Sequence, residues 1–457
     1  MKYRHIIINV FLFFMVGGCT RGLLEESPSS DIIVPNTLEY LAGMLNDKDL
    51  FGQTPVYGEQ SADNYYIPDS LYNELPALDR NLYTWEKDIY GGQGNIDDWN
   101  IPYRQVLTAN IILDKINGIS PTTATQAQWE QIKGTALFTR AYAFHQLALE
   151  FAPYYNFASV EQQPGIVLPV TTNLQVVYAR STLRQTYAQI IADLLPAKDL
   201  LPVQIVNPQP WMPNKASVCG MLARVYLFMA DYEQARRYSD SALGYYSTLI
   251  NYNMLDVTDR FPFAGAKNEV LYASSLIAGN VLLAGWRYCV IDSMLYRSYD
   301  DNDLRKHIYF KTLALSNLPV FKGSYTGDLF PFSGLATDEI YLIRAECLAR
   351  KGNIAGCLAD INTLLVNRYK TATYVPPLAV SAEEALSLVL AERRKELIFR
   401  GLRWSDLKRH NGQGAGLSLT RRAGNMLYTL PPNSDRWVLP IPNDALIGSH
   451  IEQNPRQ

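Results

Sequence analysis

The stretch Ala223-Arg224-Val225-Tyr226, followed by Ala230-Asp231-Tyr232-Glu233-Gln234-Ala235 and then Ala242, sets small residues at helical spacing on both sides of a short polar turn. Small side chains at those offsets let two antiparallel helices approach closely, and the turn joins them, as in tetratricopeptide-like hairpins. In a sheet the same apolar residues would point to both faces, so the period selects helix. The pattern recurs: Ala345 is followed by Gly352-Asn353-Ile354 and then Cys357 and Leu364, and Arg140-Ala141-Tyr142-Ala143-Phe144-His145 is a third version with a longer first helix.

Working outward, helical spacing covers 98–118 with 126–151, 181–201 with 215–245, 336–366, and 381–409. The expected fold is mainly α, a scaffold of tetratricopeptide-like hairpins, against the plainer alternative of an ordinary helical domain. Two long stretches break the period. Residues 47–97 carry Pro55, Pro68, Pro76 and Gly91-Gly92-Gln93-Gly94, and residues 250–335 are rich in Phe, Tyr, Gly and Asp, so both read as loop, short strand and irregular helix. Loops of that length in a compact domain are usually functional, which makes the insertions the expected functional surface.

Tyrosine is in excess, 30 residues alongside 7 tryptophans. Many fall in the insertions: Tyr57, Tyr65, Tyr66, Tyr72, Tyr83 and Tyr90, then Tyr288, Tyr296, Tyr299, Tyr309 and Tyr325. A sugar ring has an apolar C–H face and an edge of hydroxyls, so a site for it pairs a flat ring with Asn, Asp or Arg. Asp63, Asn64, Tyr65 and Tyr66 form one candidate ligand cluster, and Trp286, Arg287, Tyr288 and Tyr296 form another. The competing reading is that these rings only pack loops onto helices.

The first residues have their own logic. Lys2 and Arg4 precede an apolar run from Ile6 to Val16, and Val16-Gly17-Gly18-Cys19 resembles a lipobox. The run is far short of the roughly 20 residues a spanning helix needs. The reading is a signal peptide over 1–18, lipidation at Cys19 and a single unit from 19 to 457. Cleavage there moves the formal charge from -3 to -5, with 39 basic against 44 acidic residues, and no basic tract points to nucleic acid.

Near the C-terminus the chain reads Glu392-Arg393-Arg394-Lys395-Glu396-Leu397-Ile398-Phe399-Arg400-Gly401-Leu402-Arg403-Trp404-Ser405-Asp406-Leu407, then Leu439-Pro440-Ile441-Pro442 and Gln453-Asn454-Pro455. With Trp99, Tyr103, Ala109-Asn110 and the Arg140 segment, this resembles the SusD/RagB family of outer-membrane nutrient-binding lipoproteins. The resemblance implies a SusD-like α-α superhelix, no enzymatic activity, and a surface lipoprotein on the exterior of the outer membrane. It further implies an oligosaccharide ligand and a SusC-like TonB-dependent transporter as partner. Glu392, Arg393, Glu396, Gly401, Arg403 and Asp406 carry the motif; Arg400 stands where the family often has glutamate. Read physically, Glu392, Glu396, Arg393 and Arg403 would form one local charge network while Leu397, Phe399, Leu402, Trp404 and Leu407 pack inward. Carboxylates beside arginines stay ionised, which suits structure better than proton transfer.

Other chemistry finds little footing. His5, His145, His307, His410 and His450 are widely spread, and no zinc-protease, nucleophile-elbow or phosphate-loop motif occurs. No cofactor or catalytic metal is expected; a loop calcium at Asp300-Asp301-Asn302-Asp303 is the one metal site left open, without the glycine and glutamate of an EF-hand. Cys219, Cys289, Cys347 and Cys357 read as buried thiols, and a Cys347–Cys357 disulfide across one hairpin stays open. The alternatives to glycan capture are a lipid-anchored scaffold protein of the envelope, a peptide binder and a glycan-cleaving enzyme.

Overall fold

A computed structural model describes residues 36–173, 175–203, 210–279, 281–283, 287–314 and 316–457. The leader 1–18, Cys19 and Trp286 lie outside the described residues. The helices that matter below are α1 (Leu38–Leu45), α2 (Tyr57–Ser61), α3 (Asp97–Ile116), α4 (Gln126–Phe151), α5 (Leu183–Leu200), α6 (Lys215–Phe228), α7 (Tyr232–Tyr245), α8 (Thr337–Arg350), α9 (Ile354–Leu365), α10 (Ala382–Glu396) and α11 (Arg403–Gly412).

From α3 to α8 each helix packs on the next, and α9 and α10 both pack on α8, giving the tetratricopeptide-like stack. The small residues Ala223, Ala235, Ala242, Ala345 and Cys357 are buried at the contacts where the spacing put them. Caps fix where the helices begin: Thr182 with Gln185 and Asn214 with Ser217 form capping boxes, while Asp231 and Asn353 accept the backbone N–H of Gln234 and Gly356. The two turns read as equivalent in sequence are equivalent in backbone too, because Ala230 and Gly352 are both left-handed, at φ 58° and 77°, just before the capping Asp231 and Asn353. Alanine is strained in that conformation and glycine is not. Ala230→Gly is therefore expected to raise the unfolding free energy by about 1 kcal/mol, read by urea denaturation.

One expected hairpin is corrected. Residues 381–409 do contain two helices, but α10 packs on α8 and α9, whereas α11 turns away to α2 and α6. The cause is the link between them, where Phe399 and Gly401 are both left-handed, at φ 55° and 72°. Leu397, Phe399, Leu402, Trp404 and Leu407 are buried, as the pattern requires. A Cβ at Gly401 would also meet Leu276 Cδ2 tightly, at 3.1 Å.

The insertions form short helices and small sheets. The largest sheet orders β1 (Tyr65–Tyr66), β2 (Val290–Ile291), β4 (Pro319–Phe321) and β3 (Phe310–Thr312), numbered along the chain, all antiparallel. A separate hairpin pairs β5 (Leu419–Ala423) with β6 (Met426–Leu430). The β1–β2 pairing, with Tyr66 opposite Val290, ties the first insertion to the second.

The charge network of the C-terminal motif is real but not local, which corrects the expectation. Glu392 and Glu396 do not bond Arg393 or Arg403; both accept from Arg305 of the second insertion, and Glu396 also accepts from Arg368. Arg393 donates to Asp406, Arg403 to Asp63, and Arg400 to Asp338. Arg400 and Arg403 span to distant segments, while Arg393–Asp406 and Lys395–Glu392 stay within the motif. The cluster thereby pins the second insertion onto α10.

The four described cysteines are free and buried, so Cys347 and Cys357 remain thiols on the two arms of the α8–α9 hairpin. In the Asp300–Asp303 loop the carboxylates diverge: Asp303 turns inward to Arg305, while exposed Asp301 pairs with Lys306. Among the described residues no group of three or more His, Cys, Asp and Glu side chains is placed to hold a metal ion.

Candidate functional site

A cleft of about 530 Å³ opens where β1, the short helix Ser293–Arg297, α10 and β5 meet. Its walls come from both insertions and from the C-terminal motif, segments hundreds of residues apart. Tyr66 supplies a half-buried ring on one wall. Asp292 accepts the backbone N–H of Leu295 at 2.9 Å and so starts the short helix that carries Met294, whose side chain is 71 % exposed at the mouth.

Arg394 reaches in from α10. Its Nη2 donates to the Asp63 carbonyl at 2.8 Å and its Nε to Asn64 Oδ1 at 3.2 Å. The same guanidinium lies 3.3 Å from the Asp63 carboxylate and 3.6 Å from that of Asp292. Asp63 also takes both Nε and Nη2 of Arg403, at 2.7 and 2.8 Å. Burial alone would raise the Asp63 carboxyl, but the Arg403 bonds and charge outweigh it and hold the group at about 2.

Strand β5 forms the opposite wall: Leu419, Arg421 and Ala423 are buried, Thr420 and Arg422 are exposed, and all but Ala423 line the cleft. Arg421 secures this wall. It donates to the carbonyls of Tyr83, Gln60 and Ala62, and its guanidinium sits over the rings of Tyr83, Trp85 and Tyr65.

The two residue clusters read from sequence fare differently. The β1–β2 ladder brings Asp63 and Tyr66 beside the Asp292 helix, and with Tyr65 three of the four residues of the first cluster line the cleft. Asn64 and Tyr65 are buried, at 1 % and 3 % exposure. Asn64 bonds Glu59 and Arg394, and the Tyr65 hydroxyl donates to the Gln60 carbonyl while its ring packs on Tyr83 and Phe399. Tyr65 thus contributes floor, not an open face. In the second cluster Arg287 and Tyr288 both donate to Glu74 at the surface, outside the cleft lining. Tyr296 stands edge-on to Phe310 under Lys306. Among the remaining insertion tyrosines, Tyr57, Tyr90, Tyr299, Tyr309 and Tyr325 are buried away from the cleft, and Tyr83 is buried in its lining.

Sequence reasoning missed Asp292, Met294, Arg394, Thr420 and Arg422. Arg394 lies inside the motif, yet nothing in the run separates it from its neighbour Arg393, which points to Asp406 instead.

The cleft is suited to holding a polar ligand. Its carboxylates are engaged, Asp63 by two arginines that hold it ionised, Asp69 by the Gly424 N–H and Asp292 by its cap. Its lining has no histidine or cysteine to activate a nucleophile.

Two family profiles match this chain. One, SusD-like and described as starch-binding associating with outer membrane, matches residues 24–227; the SusD family profile matches residues 337–455. The chain belongs to the SusD/RagB family. A SusD-like protein P2 of Formosa agariphila is 22% identical over 417 residues, 76% of this chain and 77% of the relative. Among solved structures, a SusD superfamily protein of Bacteroides vulgatus ATCC 8482 superposes with a TM-score of 0.74 at 22% identity, over 92% of this chain and 99% of that one. A laminarin-binding SusD-like protein superposes with a TM-score of 0.67 at 16% identity, over 92% and 98%. These superpositions show the SusD fold. SusD/RagB proteins bind rather than catalyse and are associated with the outer membrane. Among the described residues of this SusD/RagB chain, no helix is long and apolar enough to cross a membrane.

Proposed function

We propose that this SusD/RagB protein captures an oligosaccharide at the cell surface in the cleft between β1, α10 and β5, and passes it to a SusC-like TonB-dependent transporter. The observation that carries the reading is the Arg394 guanidinium, set between Asp63 and Asp292 beside the half-buried Tyr66 ring. A donor next to acceptors matches neighbouring sugar hydroxyls, each of which both gives and takes a hydrogen bond, and the ring matches the apolar face. The laminarin-binding relative supports the ligand class. Isothermal calorimetry against a glycan panel that includes laminarin tests it. Heat with at least one glycan is expected; silence with every glycan together with binding of peptides would replace sugar by peptide.

Lipid on Cys19 would hold the protein at the membrane, since two or more acyl chains make a stable anchor. Cys19→Ala is expected to give a folded, ligand-competent protein that leaves the membrane fraction and no longer supports uptake. Normal uptake by that variant would remove the tether from the mechanism.

A further inference from the structure

Beneath the cleft, the start of α2 is held by two acids from different helices. Asp98 of α3 accepts the N–H groups of Val56 and Tyr57 on one oxygen, each at 2.7 Å, and Glu150 of α4 accepts that of Gly58 at 2.8 Å. Both acids are buried, at 0 % and 5 % exposure, and they lie within hydrogen-bonding reach of each other. Their remaining oxygens, Asp98 Oδ1 and Glu150 Oε2, are inaccessible to water and have no other partner. Two ionised carboxylates cannot sit so close in a buried site, whereas one proton between them satisfies both orphan oxygens.

We propose that Asp98 and Glu150 share a single proton and form a latch on α2, and that losing this proton loosens the cleft wall. The link to the cleft is short. Along α2 and just after it, Glu59 bonds Asn64, Arg421 holds the Gln60 and Ala62 carbonyls, and Asp63 lines the cleft. The regulatory half of this proposal rests on the cleft being the ligand site; the shared proton does not.

The surroundings favour the protonated pair. Tyr57 and Glu59 of α2, Asp97 of α3 and Tyr90, whose hydroxyl donates to the Pro440 carbonyl, are the neighbouring titratable groups on that side. The one basic group against the pair among the described residues is Lys408 of α11; its Nζ is occupied by the Leu149 and Ala152 carbonyls, and burial pulls it down to about 7 against the Glu150 charge. Burial pushes Asp98 up to about 7, against the opposing pull of the Tyr57 and Val56 N–H groups; burial and then the Asp98 charge push Glu150 well above the carboxylate range. The unfolded chain would release both protons near pH 4, whereas the native pair gives up the first near pH 7 and keeps the second, the shared one, to higher pH, so the native state binds more protons throughout that interval. Stability contributed by the latch is full below that interval and falls as pH rises through it.

The full mature chain tests this without any ligand. Infrared spectra at neutral pH should show buried protonated carboxylic acid in the wild type, and part of that band should be lost in Glu150→Gln. Hydrogen exchange at Val56, Tyr57 and Gly58 should quicken by about tenfold more than intrinsic base catalysis dictates as pH rises above about 7 and the shared proton is lost. In Glu150→Gln, whose amide can donate to Asp98 without a shared proton, that extra acceleration should vanish. Absence of the acid band in the wild type, or equal pH slopes in the two proteins, overturns the latch; because burial also pushes Glu59 and Glu269 up to about 7, the pair's share of the band is the part lost in Asp98→Asn as well as in Glu150→Gln, and an unchanged band in either folded variant overturns it too. Once a glycan ligand is known, affinity that falls with pH in the wild type but not in Glu150→Gln supports the regulatory link, and parallel pH profiles refute it.

Discussion

Glu396→Ala is expected to lower the unfolding free energy by about 3–5 kcal/mol, measured by urea denaturation at neutral pH. The reason is what remains behind. Glu396 is fully buried and accepts from Arg305 Nη1 at 2.9 Å and from Arg368 Nε at 2.7 Å. Neither guanidinium reaches water, so deleting the carboxylate strands cations that Asp303, Glu392 and Glu269 compensate only in part. Surface pairs in the same protein, such as Arg236 with Asp240, should cost well under 1 kcal/mol when cut. The pH dependence has a definite sign. Burial raises the Glu396 carboxyl, but Arg368 and Arg305 outweigh it and hold the group below its ordinary value. Its contribution is therefore present above the ordinary carboxylate range and is lost as pH falls through the depressed native value, the opposite trend to the Asp98–Glu150 pair.

The second large effect concerns the cleft. Arg394→Ala is expected to weaken the glycan identified by calorimetry by about 10- to 100-fold, the scale of a lost charge-assisted hydrogen bond. Tyr66→Ala is expected to cost a similar factor through loss of the ring face. Both variants should stay folded, because Arg403 still holds Asp63 at 2.7 and 2.8 Å and Tyr66 lies at the end of a two-residue strand. An Arg287→Ala control, which cuts a surface pair with Glu74 outside the cleft, should leave affinity within about twofold.

The stack of hairpins was legible because its rule is local. Small residues such as Ala223 and Ala235, a left-handed turn and an Asp231 or Asn353 cap all declare themselves within a window of about twenty residues. The path after α10 was not legible, since left-handed Phe399 is not a residue type that announces a turn and only tertiary packing against Tyr65 and Phe321 keeps it there. The cleft was legible in part. Asp63 and Tyr66 stood out as an Asp-aromatic cluster, but whether Tyr65 or Tyr66 faces outward depends on strand register, which flips with a shift of one residue. Arg394 and Thr420 join the site only through contacts across hundreds of residues. The charge network failed as a local reading for the same reason: Arg305 and Arg368 carry no mark in sequence that they answer Glu396.

Hydrogen–deuterium exchange by mass spectrometry, with and without a glycan that gives binding heat, tests the central claim most directly. The account predicts protection in segments 63–69, 292–296 and 418–422, which converge on the cleft. Protection confined to the hollow of about 940 Å³ beside α1 and α3, walled by Tyr40, Met44, Arg104 and Leu107, with none in those three segments, would contradict it.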